Sequence, residues 1–317
     1  MAKEKCCFGV DVGGTTVKIG CFDKEGHLIS KWEIPTRKES QGKYILPDVA
    51  ESLKERMEMD GIELENVQGI GIGVPGPVLA NGTVERCVNL GWGHTDMKGI
   101  LRQYFPGVDI EAGNDANVAA LGEVWRGAGR GKKNAVMVTL GTGVGGGVVI
   151  DGKIVSGVHG MGGEIGHIHI RDEDQDTCNC GGHGCLEQTA SATGLVREAK
   201  RLLAANPENT SSMLEYGEKL EAKDIVACAV QGDELALKAI DTMSFYLGRA
   251  LASIAMVVDP EVFIIGGGVS RAGKFLNDKI EKYYYEYAPL TGSKSEIVTA
   301  LLGNDAGIYG AAKMVLD

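Results

Sequence analysis

Apolar runs and glycine-rich turns alternate along this chain, and their order sets the fold class. Residues 6–12 are apolar and end in Asp11-Val12-Gly13-Gly14-Thr15-Thr16, which predicts a buried strand entering a tight turn. Residues 17–22 and 27–34 read as two further strands around a Lys-Glu-Gly turn. Val49, Leu53 and Met57 share one helical face, so 47–60 is expected to be a helix. A fourth strand follows at Val67–Val74, then a short helix at 97–105 and a fifth strand at 108–111. Asn114 and Asp115 open a helix that runs through Trp125.

The pattern then restarts. Ala135–Leu140 reads as a buried strand, followed by the glycine run 141–147 and a strand at 148–151. Residues 157–170 are rich in Gly and His and lead through an acidic run into a cysteine cluster. Beyond Ser191 the chain turns mostly helical, and its longest helix, Glu234–Val258, stops at Asp259 and Pro260. A strand at 262–265 enters Gly266-Gly267-Gly268, and a strand at 297–301 and a helix at 304–316 close the chain. Strand, glycine turn, strand thus occurs once in each half. This architectural repeat predicts two similar α/β domains facing each other across a cleft. A small domain is expected over 1–117, rejoined by 302–317, and a large one over 118–301. No Pro/Ser-rich linker marks the boundary, which is expected near 116–120.

A length of 317 residues suits two domains, and 44% hydrophobic with 24% charged residues excludes a disordered chain. Asp+Glu outnumber Lys+Arg by 43 to 32, and the resulting net charge of −11 argues against a general nucleic-acid binder. No run approaches the ~18 apolar residues of a membrane span. The N-terminus lacks the apolar core and cleavage site of a signal peptide, so the protein is expected in the cytosol. The 8 cysteines are then thiols or metal ligands, not disulfides. The 47 glycines are about twice the usual share of ~7%, and they cluster where backbone would approach a ligand.

Backbone N–H groups in a loop without side chains form a phosphate cradle. Residues 11–16 have that character: Gly13 and Gly14 permit close approach, Thr15 and Thr16 offer hydroxyls, and Asp11 can hold a hydrated Mg²⁺. Gly141, Thr142, Gly143 and Gly145 offer the same in the second half, and Gly267 and Gly268 could seat a nucleoside. Two segments match G-x-G-x-x-G, at 71–76 and 141–146. The first contains Pro75 with no helix behind it and the second leads into a strand, so neither has the context of a dinucleotide site. Nor is there a P-loop motif.

Cys178, Cys180 and Cys185 place three thiols within eight residues, around glycines that let the backbone wrap. With one His they make a closed tetrahedral set for a structural zinc. His167 and His183 compete for the fourth place, with His159 and His169 more distant. Cys6, Cys7, Cys21, Cys87 and Cys228 sit in apolar segments and read as small hydrophobes. A lone Asp opening a helix, as Asp115 does, is usually its N-cap. Glu164 lies beside His167 and Glu187 just after Cys185, well placed to hydrogen-bond a polyhydroxylated ligand.

The motifs DVGGTT (11–16), GVPGPV (73–78), VNLGW (88–92), NDAN (114–117) and LGTGVGGG (140–147) together resemble the ROK family of bacterial sugar kinases and repressors. So do GGEIGH (162–167), C-x-C-G-x-x-G-C-x-E (178–187), GGGVS (266–270) and GNDAG (303–307). Within the family the likeness is to the Firmicutes-type glucokinases. The resemblance implies a two-domain, actin-like ATPase (ribonuclease H-like) fold with ATP and sugar in an interdomain cleft. It implies phosphorylation of D-glucose by ATP with Mg²⁺ and Asp115 as the catalytic base. Gly76, Asn114, Asp115, Glu164, His167 and Glu187 would bind the sugar. His167, Cys178, Cys180 and Cys185 would hold a structural zinc. A homodimer or tetramer is expected. A kinase for another hexose or N-acetylmannosamine is the sibling alternative. The family's repressors carry a helix-turn-helix before the first phosphate loop; ten residues precede Asp11 here, which favours the kinase. His169, on a strand, would share a face with His167 in a supporting role.

Overall fold

The computed structural model describes residues 5–174, 176–208, 210–288, 290 and 294–316. In chain order the elements are β1 Cys6–Val12, β2 Thr16–Asp23, β3 Leu28–Pro35, α1 Ile45–Asp60, β4 Val67–Val74, β5 Thr83–Val84, β6 Thr95–Asp96, α2 Met97–Tyr104, β7 Asp109–Asn114 and α3 Asp115–Arg126. They continue with β8 Ala135–Leu140, β9 Val144–Ile150, β10 Lys153–Ile154, α4 Leu186–Ala190, α5 Ala192–Ala205, α6 Ala222–Val230, α7 Glu234–Val258, β11 Val262–Gly266, α8 Lys274–Tyr287, β12 Glu296–Thr299 and α9 Ala306–Lys313. They form two compact units. One comprises Met1–Lys133, Gly147–Gly163 and Leu301–Asp317, the other Asn134–Gly146 and Glu164–Ala300.

The first unit is built on the sheet β3-β2-β1-β4-β7. β1 pairs antiparallel with β2 and parallel with β4, and β4 pairs parallel with β7. β1 and β4 are buried along nearly their whole length, so they need cover on both faces. α1 and α2 contribute Val49, Leu53, Met97 and Leu101 to the core that holds Phe8, Val10, Ile70 and Ile72. α9 lies so close to β4 that a Cβ on Gly71 would fall 1.8 Å from the Ala311 carbonyl oxygen; only glycine admits the helix there. The unit runs past 117, through α3 to Lys133. One reason is Glu123, fully buried near the end of α3. Its carboxylate accepts the N–H groups of Ala128 (2.8 Å), Leu301 (3.1 Å) and Leu302 (2.7 Å). It thereby ties α3 to the returning chain.

The second sheet has the order β10-β9-β8-β11-β12. Counting its strands in chain order gives third, second, first, fourth, fifth, as in the first sheet. That is the repeat expected from the two glycine turns. β11 lies parallel between β8 and β12. α7 and α8 pack together beside it, and Phe263 meets Tyr284 edge to face at 5.5 Å. No helix of the described residues is long and apolar enough to cross a membrane.

Several elements depart from the sequence reading. β9 begins at Val144, not 148, because Gly141 N–H closes the turn on the Gly143 carbonyl at 3.0 Å. The next three glycines are therefore strand. The last helix starts at Ala306, behind a separate 3₁₀ turn over Gly303–Asp305. The β5–β6 ribbon, two residues a side, is too short to show a period.

Candidate functional site

In the first unit, β1 delivers Asp11 to the mouth of a turn closed by Gly13 N–H on the Thr16 carbonyl at 3.0 Å. Thr36 braces it: its hydroxyl donates to the Gly13 carbonyl at 2.7 Å and its N–H to the Thr15 carbonyl at 2.9 Å. A Cβ on Gly13 would meet the Thr16 carbonyl oxygen at 2.8 Å, whereas one on Gly14 would meet nothing within 4 Å. The GNDAG segment packs around this turn. Lys18 donates to the Asn304 carbonyl at 3.1 Å, Asp305 pairs with Lys31 at 2.8 Å, and Gly307 sits against the Asp11 carboxyl. Burial pushes the Asp11 carboxyl up to about 6; Lys18 opposes the rise, while Asp115 and Asp305 add to it. A half-buried carboxylate raised by burial and by neighbouring carboxylates suits a divalent cation, which would relieve that repulsion.

β7 ends at Asn114 and α3 begins at Asp115. The cap is Asn114, not Asp115: Asn114 Oδ1 accepts the Asn117 N–H at 3.1 Å. Asn114 Nδ2 donates to the Gly76 carbonyl at 3.1 Å, which holds the GVPG segment against the helix start. Asp115 Oδ1 accepts the Ala116 N–H at 2.8 Å. Burial raises the Asp115 carboxyl above its ordinary value, against the pull of that N–H. Sequence reasoning gave Asn117 no role. It is buried, donates to the Gly162 carbonyl at 2.8 Å and accepts the Val148 N–H at 3.3 Å. It fixes the backbone just ahead of Glu164. Its spacing of three from Asn114 in NDAN was the available signal.

In the second unit a cavity of about 910 Å³ is lined by Gly141 and Thr142, by Thr193 at the start of α5, by Glu221 and Lys223 beside α6, and by Gly268 and Arg271. It brings two of the predicted glycine loops together and is large enough for a nucleotide. Gly267 backs the loop: its φ of 84° and the Leu140 carbonyl, 2.5 Å from where a Cβ would be, require glycine. Two expectations change here. Gly145 belongs to β9, not to a loop. Gly143 faces a side chain: a Cβ there would lie 2.0 Å from Glu187 Oε2. The 192–196 and 220–226 walls were invisible in the sequence, because helical surface residues carry no motif.

His167, Cys178, Cys180 and Cys185 converge, their donor atoms all within 4.8 Å of one another. Cys180 and Cys185 Sγ are 3.6 Å apart, and His167 Nδ1 lies 3.8 Å from Cys178 Sγ. Those separations match the ~3.5–3.8 Å edges of a tetrahedral zinc with ligands at ~2.0–2.3 Å. Three thiols and one imidazole, without oxygen, are a structural zinc donor set. His183 and His169 are outside the group. His183 Nδ1 lies 3.2 Å from the Asp176 carbonyl. His169, not on a strand as expected, sits between the His183 carbonyl (2.7 Å) and Asp172 (2.8 Å) and braces the loop. Glu187, at the start of α4, accepts the Val144 N–H with Oε2 at 3.0 Å and sets Oε1 3.8 Å from Cys178 Sγ. Glu164 precedes the short turn Ile165–His167. The other five cysteines are buried, as small hydrophobes should be.

Comparison with known proteins identifies relatives of this chain. A model of the ROK family matches residues 7–317. The glucokinase of Halalkalibacterium halodurans is 42% identical over 311 residues, spanning 97% of this chain and 94% of the relative. That of Thermotoga maritima is 37% identical, spanning 98% and 96%. Among solved structures, a ROK family glucokinase from Streptomyces griseus in complex with glucose and AMPPNP is similar at a TM-score of 0.75, with 35% identity and 98% of each chain covered. With the match spanning all but the first residues and the strand order repeated in two sheets, the chain belongs to the ROK family and has its actin-like ATPase fold.

Proposed function

We propose that this protein is a glucokinase, transferring the γ-phosphoryl group of ATP to the 6-hydroxyl of D-glucose. The observation that carries the reading is Asp115: a half-buried carboxylate at a helix start whose capping bond is made by its neighbour. The similarity to glucokinases over nearly the whole chain gives the substrates.

Phosphoryl transfer needs positioning and charge neutralisation more than covalent chemistry. Asp115 accepts the 6-hydroxyl proton as that oxygen attacks phosphorus. Burial raises its pKa, which makes it a better base than an exposed carboxylate. Asp11 would hold the hydrated Mg²⁺ that accompanies ATP, and the Gly14–Thr15 backbone of the same turn would offer its N–H groups to phosphate. The second-unit cavity takes the nucleoside, with Gly141 and Gly268 giving close approach. Asn114, Glu164, His167 and Glu187 bind the sugar hydroxyls, with the Gly76 backbone beside Asn114. A zinc held by His167 and the three thiols would fix the imidazole's orientation and tautomer. His167 Nδ1 faces the thiols, which leaves Nε2 for a hydroxyl.

The test is ADP release over a panel of hexoses and N-acetylhexosamines, with glucose expected to give the highest kcat/KM. A higher value for N-acetylmannosamine or another hexose would change the substrate and keep the chemistry. No sugar-dependent ADP release would overturn the reading.

A further inference from the structure

The tight turn Gly141–Val144 is gripped by the two segments that carry sugar-site residues. From one side, Glu187 Oε2 accepts the Val144 N–H at 3.0 Å. From the other, Gly166 of the GEIGH segment sits so close that a Cβ on it would fall 2.1 Å from the Val144 carbonyl oxygen. Val144 is thus hydrogen-bonded at its N–H and closely packed at its C=O. The near end of the same turn lines the cavity: Gly141 N–H bonds the Gly143 carbonyl at 3.0 Å, and the Gly141 carbonyl takes the Ala192 N–H at 2.8 Å. The two glycines differ in what their missing side chains leave room for. At Gly141 a Cβ would meet only the Gly143 carbonyl oxygen, at 3.9 Å. At Gly143 it would strike the Glu187 carboxylate, with Oε2 at 2.0 Å and Cδ at 3.0 Å. Nothing at Gly143 demands a positive φ. Its glycine is explained by the carboxylate lodged against it.

We infer that Glu187 is the positioning residue of the nucleotide turn: its carboxylate holds Gly141–Val144 in the shape that lines the cavity, and Gly143 is glycine in order to admit that carboxylate. This rests on the cavity being the nucleotide site and deepens that reading. A residue assigned to the sugar then also sets nucleotide affinity, from within one loop cluster.

The test is a double-mutant cycle on the full-length protein. G143A and E187A are measured singly and together, by thermal melting without ligand and by calorimetry with a non-hydrolysable ATP analogue. Each single variant is expected to weaken the analogue about tenfold, the worth of one hydrogen bond to a charged group. The double variant should be no weaker than E187A, because the added methyl enters the space the carboxylate has left. G143A should lower the melting temperature in the wild-type background and not in the E187A background. E187Q, whose amide oxygen can still accept the Val144 N–H, should keep analogue affinity near wild type. Additive losses in the double variant would overturn the inference, as would wild-type analogue affinity in E187A or an E187Q as weak as E187A. A wild-type protein that binds no analogue, with the melting cycle still non-additive, would overturn the nucleotide reading and leave the Glu187–Gly143 fit standing.

Discussion

Asn114 and Asp115 divide the start of α3 between them. Asn114 caps the helix through its bond to the Asn117 N–H at 3.1 Å, and Asp115 starts it. The division separates two consequences of mutation. D115N keeps the cap, the shape and the Gly76 contact, and removes only the negative charge. Turnover should fall by ~10²–10⁴-fold, the usual worth of a general base, while glucose affinity by calorimetry changes little. Near-normal kcat in D115N would reduce Asp115 to a structural residue. N114A, by contrast, should lower the melting temperature, since losing an N-cap costs about 1 kcal/mol.

The two glycines of the first turn also separate. Gly13 is confined by the Thr16 carbonyl, so any side chain there disturbs the turn itself. Gly14 faces open space, so G14A adds a methyl group without an internal clash. If phosphate approaches this backbone, G14A should raise the KM for ATP by about tenfold, roughly one charged hydrogen bond, with the glucose KM nearly unchanged. An unaltered ATP KM in folded G14A would remove this turn from the phosphate site.

Much of this was legible in the sequence, for definite reasons. Buried parallel strands such as Ala135–Leu140 and Val67–Val74 read as near-continuous apolar runs, and three closely spaced thiols marked the cluster that converges with His167. The sequence failed where one residue type serves two purposes. Glycines bend loops, but they also make room. Gly145 sits in a strand and Gly143 admits a carboxylate, and a one-dimensional pattern cannot distinguish these from a phosphate cradle. Asp115 looked like a cap because Asn114 and Asp115 are both good capping residues; only the bond to Asn117 decides between them. Glu123 carried no motif, since its partners are backbone N–H groups 5 and about 180 residues away.

Asp11 predicts a trade of stability for function. Its folded pKa of about 6 lies above the ordinary 3.8, so the folded protein favours the protonated form. The stability tied to that proton is complete below the ordinary value and is lost as pH rises through about 6. At pH 8 the ionised carboxylate therefore weighs against the ligand-free fold. D11N should be more stable than wild type there, by on the order of 2–3 kcal/mol, with roughly half that gain at pH 5. Denaturant melts at the two pH values measure it. The same variant should lose Mg²⁺-dependent nucleotide binding. A D11N protein that is less stable than wild type at pH 8, or whose gain is the same at both pH values, would remove the burial penalty from Asp11.

The four-residue donor cluster and the residues proposed for the sugar share one group of loops. His167 belongs both to the four-residue cluster and to the GEIGH segment, and Glu187 follows Cys185 by two residues with Oε1 3.8 Å from Cys178 Sγ. If a zinc holds Nδ1 of His167, the imidazole is fixed with Nε2 as its remaining hydrogen-bonding atom. C180S removes one ligand, and it is the exposed cysteine of the set, so the change disturbs little packing. Elemental analysis should find about one zinc per chain in the wild type and much less in C180S. Glucose affinity should fall by at least tenfold, the equivalent of one oriented hydrogen bond to a charged group. Nucleotide affinity should fall less, because most of that cavity is walled by α5, α6 and the Gly268–Ala272 segment, which hold no metal ligand. Circular dichroism establishes that the variant is folded. Zinc-free C180S that binds glucose as the wild type does would confine the metal to a local staple and detach it from the sugar site.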